Sequence, residues 1–255
     1  MKTRRRILHP VALARVLVAH RRTTGNDLVL ATFLAMIAGA ANAGGFFALG
    51  QYTSHMTGYL SQLADNIAIL QAKAVIVSVL AISAFVSGAA FGTFLILWAR
   101  GHAGRQQYAL PLVIQGGFMV CFSGGGVFSS EIGRLFSLAC LCFIMGMQNA
   151  TITKISFARI RTTHATGMVT DIGIELGRAV FGWVRPVSGV SVDRRKLRIL
   201  LQLVLAFLLG GVVGAIGYSQ TGFFFSLPLA GILLGLGLPG LMGSNRGDRA
   251  GDQAR

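Results

Sequence analysis

Six stretches of this chain run for roughly the thickness of a bilayer without a single formal charge, and no other feature restricts its fold so severely. They are Leu28–Gly50, Ala74–Ala99, Tyr108–Phe128, Leu135–Thr153, Ile199–Tyr218 and Thr221–Gly243. A helix needs about 20 residues to cross about 30 Å of hydrocarbon, and inside lipid it must satisfy its own backbone. The expectation is an all-α membrane protein with six transmembrane helices. Glu131 and Arg134 crowd the start of the fourth.

The formal charge is +15, which on size alone would suggest a nucleic-acid partner. Its placement argues for a different reading. With the N-terminus in the cytoplasm, the Lys and Arg residues of 1–27, of the segment after the second span, of Lys154–Arg198 and of the tail all fall inside. Only Lys73 and Arg134 of the 23 fall outside. So strong a positive-inside bias orients the chain with both termini cytoplasmic and leaves no charge that needs nucleic acid. Attraction of the basic segments to anionic lipid head groups comes with it. Cys121, Cys140 and Cys142 lie in apolar runs and form no metal or disulfide pattern, so they read as packing residues.

Between the spans the chain repeats itself. Ser54-His55-Met56-Thr57-Gly58 is answered by Thr163-His164-Ala165-Thr166-Gly167, and Gly39-x-x-Asn42-Ala43 by Gly146-x-Gln148-Asn149-Ala150. The offsets are 164 − 55 = 109 and 146 − 39 = 107. Further on, Ala84-Phe85…Gly88…Gly92 matches Ala206-Phe207…Gly210…Gly214, and Leu110-Pro111-Leu112 matches Leu227-Pro228-Leu229. Landmarks recurring in one order indicate a duplicated unit. The second G-x-x-N-A also argues against taking Ala41-Asn42-Ala43 as a signal-peptidase site.

Each H-x-T-G opens a stretch too polar for a lipid-facing span but with helical texture. Tyr59, Leu60, Leu63, Ile67 and Leu70 recur at three- and four-residue steps, as do Met168, Val169, Ile172, Leu176 and Val180. Thr57 and Thr166 are typed as N-caps of two short helices, interrupted and re-entrant or lying at the surface. If neither crosses the bilayer, each repeat has three spans and the halves are inverted, the arrangement the charge count supports. Inverted repeats are a recurring transporter architecture. The organisation expected is a basic cytoplasmic arm at 1–27, a first repeat at 28–128, a second at 129–243 and a cytoplasmic tail at 244–255.

A helix start carries partial positive charge, so two Thr-Gly starts facing the interior would suit a polar or anionic solute. Asn42, His55, Thr57, Gly58, Gln148, Asn149, His164, Thr166 and Gly167 are the candidate solute or pore residues; the alternative for the threonines is capping alone, and for the amides a structural role. Asp65, Asp171 and Glu175 are the candidate proton-coupling acids, although Arg178 stands three after Glu175 and could pair with it. Gly88 and Gly92, and Gly210 and Gly214, are G-x-x-x-G packing signals, within the chain or in a homo-oligomer. No nucleophile elbow, phosphate loop or metal-ligand cluster is present, so no enzyme, cofactor or metal is expected.

The G-x-x-N-A, T-G, G-x-Q-N-A and T-T-x-x-T-G series over about residues 28–240 resembles the YoaK-type family of bacterial multi-span membrane proteins, a domain of unknown function. That family commonly has Asp-Ala where this chain has Asn42-Ala43, and Thr-Gly-Asn where it has Thr57-Gly58-Tyr59. The resemblance implies a six-span protein of the bacterial inner membrane and supplies no activity. The expected function is a channel or secondary transporter for a small polar or anionic solute. The alternative is a non-transporting scaffold or sensor that binds a partner through its basic loop at 154–198.

Overall fold

The computed structural model describes residue 14 and residues 24–102, 108–124, 130–155, 165–186 and 189–242. Among these residues the chain is helical, with no strand. In order come α1 (Thr24–Leu49), α2 (Met56–Ala68), α3 (Ala72–His102), α4 (Ala109–Ser123), α5 (Glu131–Ile155), α6 (Ala165–Val184), α7 (Arg194–Thr221), a 3-10 turn (Gly222–Phe225) and α8 (Ser226–Met242). Each apolar run has become one helix, and each H-x-T-G stretch leads into an additional one, α2 or α6.

Among the described residues four segments are long and apolar enough to cross a membrane: Asp27–Phe47, Ala72–Gly101, Glu131–Lys154 and Arg194–Met242. The last contains 49 residues, about 74 Å if it were one straight helix and more than twice the thickness of a hydrocarbon core. It is not straight. Gly222 sits at φ +57°, a conformation few residues other than glycine adopt. Just beyond it Phe225 turns back onto Tyr218, with ring centroids 5.2 Å apart, and Tyr218 Oη hydrogen-bonds Ser226 Oγ at 2.9 Å. α7 and α8 are therefore separate helices joined by a tight turn. α4, with 15 residues, is apolar but shorter than a full span.

Helix pairing follows the glycines. α1 packs along α7, and α3 along α5. A Cβ on Gly210 would collide with the Met36 carbonyl, and one on Gly214 would lie 2.5 Å from Ala40 Cα. The order 36–210, 40–214 makes α1 and α7 parallel. In the other pair a Cβ on Gly88 would collide with the Phe143 carbonyl and one on Gly92 would lie 3.2 Å from Met147 Cα, so α3 and α5 are parallel as well. The reciprocal contacts also match: Gly39 faces the Phe207 carbonyl and Gly146 the Phe85 carbonyl. Only residues without side chains let backbones approach this closely. The two G-x-x-x-G pairs thus act inside the chain, each joining a helix of one half to a helix of the other.

α4 and α8 run antiparallel. Gly116 meets Leu234 and the Ala230 carbonyl, while Gly237 meets Val113 and the Ala109 carbonyl. α1 and α5 are the central helices, with 61% of each span buried against 17% for α3. Tyr59, Met119, Phe122, Leu141, Met145 and Tyr218 belong to the main core cluster. The outward faces remain apolar, with Val86, Phe94, Leu205 and Leu208 exposed, as suits contact with lipid rather than water.

The apolar stripes expected on the motif helices are only partly inward. Tyr59 and Met168 are buried, whereas Leu60, Ile67, Leu70, Val169, Leu176 and Val180 are exposed. α2 packs mainly on α3, and α6 on α7. A helix with one neighbour can bury only a narrow strip.

Candidate functional site

Asn42 stands near the end of α1, where a bare amide would be costly. Its Oδ1 accepts hydrogen bonds from the backbone N–H of Ser54 at 3.1 Å and from Ser54 Oγ at 3.0 Å. The side chain thus holds the linker that leads into α2. Gly45 clears the way, since a Cβ there would lie 2.6 Å from the Thr53 methyl and 2.7 Å from the Gln51 carbonyl oxygen.

α2 begins two residues earlier than a Thr57 cap would require. The N-cap is His55, with no side-chain capping bond, and the His55 carbonyl accepts from Tyr59 N–H at 3.2 Å. Thr57 is the second residue of α2, so it does not cap the helix. Thr166 is likewise the second residue of α6, and its carbonyl accepts from Thr170 Oγ1 at 2.9 Å. The first copy explains the spacing of H-x-T-G. The His55 ring folds over the first helical turn into the space above Gly58, where a Cβ would collide with Cδ2 and lie 2.6 Å from Nε2. A histidine and a glycine three positions later are needed for that overlap. His164 and Thr163, at the second copy, lie outside the described residues.

Both helix starts open onto one cavity of about 420 Å³. Its lining comes in equivalent pairs: Asn42 with Asn149, Thr57 with Thr166, Met56 with Ala165, and Phe85 with Phe207. Ser54, His55 and Tyr52 complete it, Tyr52 stacking on Phe46 with centroids 5.0 Å apart. The lining offers amides, hydroxyls and an imidazole between aromatic walls. No Asp, Glu, Lys or Arg contributes among the described residues. Such a surface can hydrogen-bond a small polar molecule while its rings cover the molecule's apolar parts.

Other candidate residues stand elsewhere. Gln148, next to Asn149, is buried and donates from Nε2 to the Leu34 carbonyl at 2.7 Å, joining the end of α5 to the first half of α1. Its Oε1 is buried without a hydrogen-bond partner among the described residues. Gly58 supports His55, and Gly167 is exposed in the first turn of α6.

The three acids are also away from the cavity lining. Asp65 is exposed on α2. Glu175 is fully buried between α6 and α7, where it accepts from Arg178 Nη1 at 3.1 Å and from Asp193 N–H at 3.0 Å, with Lys196 Nζ at 3.8 Å. Asp171 pairs with the same lysine at 3.4 Å. Glu175 and Asp171 therefore tie α6 to α7.

Tyr52, Met56, Phe85 and Phe207 line the cavity without having been candidates. For the two phenylalanines a signal existed, since both occupy the same place in the repeated Ala-Phe…Gly pattern.

No curated protein and no solved structure matches the chain. The family described as "Protein of unknown function (DUF1275)" matches residues 30–238, a stretch that contains both copies of the motif and every residue lining the cavity. The chain belongs to that family.

Proposed function

We propose that this chain is a six-span protein of the bacterial inner membrane, built from two inverted halves, which passes a small polar or anionic solute through the cavity between α2 and α6. The observation that carries the reading is the convergence of Asn42, Thr57 and Phe85 with Asn149, Thr166 and Phe207 on one volume. Inverted halves are supported by the antiparallel course of α4 and α8 and by the matched contacts of α1 on α7 and α5 on α3. Two interrupted helices meeting at a repeat interface are where transporters of this architecture bind their solutes. A lining without formal charge favours hydrogen bonding over ion pairing as the means of selection.

The test is flux into proteoliposomes with a panel of small polar and anionic solutes, wild type against Thr57→Val/Thr166→Val. Valine keeps the shape and removes the hydroxyl. Two hydrogen bonds of about 1 kcal/mol each correspond to a fall of about 30-fold for the solute that moves. Flux no greater than in protein-free vesicles for every solute, or flux untouched by the double substitution, refutes the proposal.

A further inference from the structure

We propose that the cleft between α1 and α7 is a seat for one anionic phospholipid, an inference that rests on the chain being embedded in a membrane but not on what it transports. The cleft has a volume of about 640 Å³ and is lined almost wholly by apolar atoms below one cationic end. Leu197, Leu201, Leu205 and Leu209 stand four residues apart along α7, with Met36 of α1 opposite and the buried Ala206 beneath. The row from Leu197 to Leu209 spans about 18 Å of helix, comparable with one leaflet's acyl chains.

The head of the cleft is Arg194 and Arg198, one turn apart on the same face of α7. Among the described residues neither has a carboxylate within ion-pair distance. The nearby acids are otherwise engaged: Asp193 accepts from the backbone N–H groups of Arg195 and Lys196, and Asp171 and Glu175 hold the Lys196 ammonium. Two free guanidinium groups form a fork suited to a phosphodiester. One turn below, Gln202 Nε2 donates to Thr32 Oγ1 at 2.8 Å, a polar step at the depth of glycerol ester groups. Charge complementarity chooses the occupant. A zwitterionic lipid brings its own cation towards the arginines, and a second copy docked by twofold symmetry would set arginine against arginine.

The test uses the full chain purified in neutral detergent and native mass spectrometry with phosphatidylglycerol or phosphatidylcholine at equal concentration. One phosphatidylglycerol should be retained in preference to phosphatidylcholine. Arg194→Gln/Arg198→Gln should weaken its retention by about 30-fold. Leu205→Trp, which fills the apolar cleft and leaves both arginines in place, should also displace it, whereas Arg134→Gln/Lys154→Gln, equal in charge change, should not. Each variant is compared as the monodisperse fraction from size exclusion, so misfolding is scored separately.

Equal retention of both lipids, retention that survives both cleft variants, or equal loss in the charge control overturns the proposal. So does stabilisation by inorganic phosphate equal to that by phosphatidylglycerol, which would indicate a free-anion site, or a lipid-free dimer broken by Leu205→Trp, which would make the cleft an interface between copies. Lipid retention is read without any solute, so it can fail while flux survives, and flux can fail while the lipid stays.

Discussion

Replacing Gly210 with alanine tests one of the closest helix approaches among the described residues. A Cβ there would collide with the Met36 carbonyl oxygen and lie 2.7 Å from Met36 Cα. Carbon atoms rest comfortably about 3.5–4.0 Å apart, so α1 and α7 must separate by roughly 1 Å. Overpacking of this kind costs about 1–3 kcal/mol. Alanine also returns up to about 1 kcal/mol of helix propensity, so the raw loss understates the strain. Gly231→Ala supplies the correction, since a Cβ on Gly231 in α8 meets nothing within 4 Å and only the propensity gain remains. The difference between the two variants isolates the strain, about 1–3 kcal/mol, or roughly 2–12 °C in midpoint for a chain of this size. Thermal unfolding of detergent-solubilised protein, followed through Trp98 and Trp183, measures it. Gly88→Ala should fall with Gly210→Ala, because its Cβ would meet Phe143 in the same way. Matching midpoints for Gly210→Ala and Gly231→Ala would refute the close crossing. A gap between Gly88→Ala and Gly210→Ala as large as the strain itself would refute the equivalence of the two helix pairs.

Glu175→Ala should loosen α6 from α7 by about 1–3 kcal/mol, below the usual loss for a broken buried pair because Arg178 and Lys196 are half exposed. Limited trypsin digestion should then cut faster at Arg178, with Glu175→Gln intermediate because it still accepts from Asp193 N–H. Asn42→Ala should lose about 1–3 kcal/mol by stranding the donors of Ser54, and Asn42→Asp should recover most of it, since a carboxylate accepts the same two hydrogen bonds. Equal melting of the alanine and aspartate variants would remove that anchoring role.

The helices were legible because an uncharged apolar run in lipid has one way to satisfy its backbone, a local property. Partners were less legible: Gly88, Gly92, Gly210 and Gly214 marked surfaces of close approach without naming what approaches. At the cavity, repetition singled out Asn42, Thr57, Asn149 and Thr166 because polar residues recurring between apolar runs are conspicuous. Phe85 and Phe207 were missed because a phenylalanine in a span looks the same whether it faces lipid or a cavity. Gln148 and Asn149 are neighbours in sequence, but successive residues on a helix point about 100° apart, and only Asn149 lines the cavity. Thr57 was misread as a cap because the packing of His55 over Gly58, which starts α2 at Met56, is a three-dimensional fit.

The pairing of α1 with α7 bears on how the chain is made. During synthesis the first long helix emerges well before the surface that covers its small-residue face, because Gly210 follows Met36 by 210 − 36 = 174 residues. Until then that helix must stand in the bilayer with the groove around Gly39 and Ala40 occupied by lipid tails. Assembly of this pair therefore requires a displacement, in which a late helix expels lipid from an early one, and a ribosome stalled before Arg194 leaves a product that no rearrangement of its own can complete.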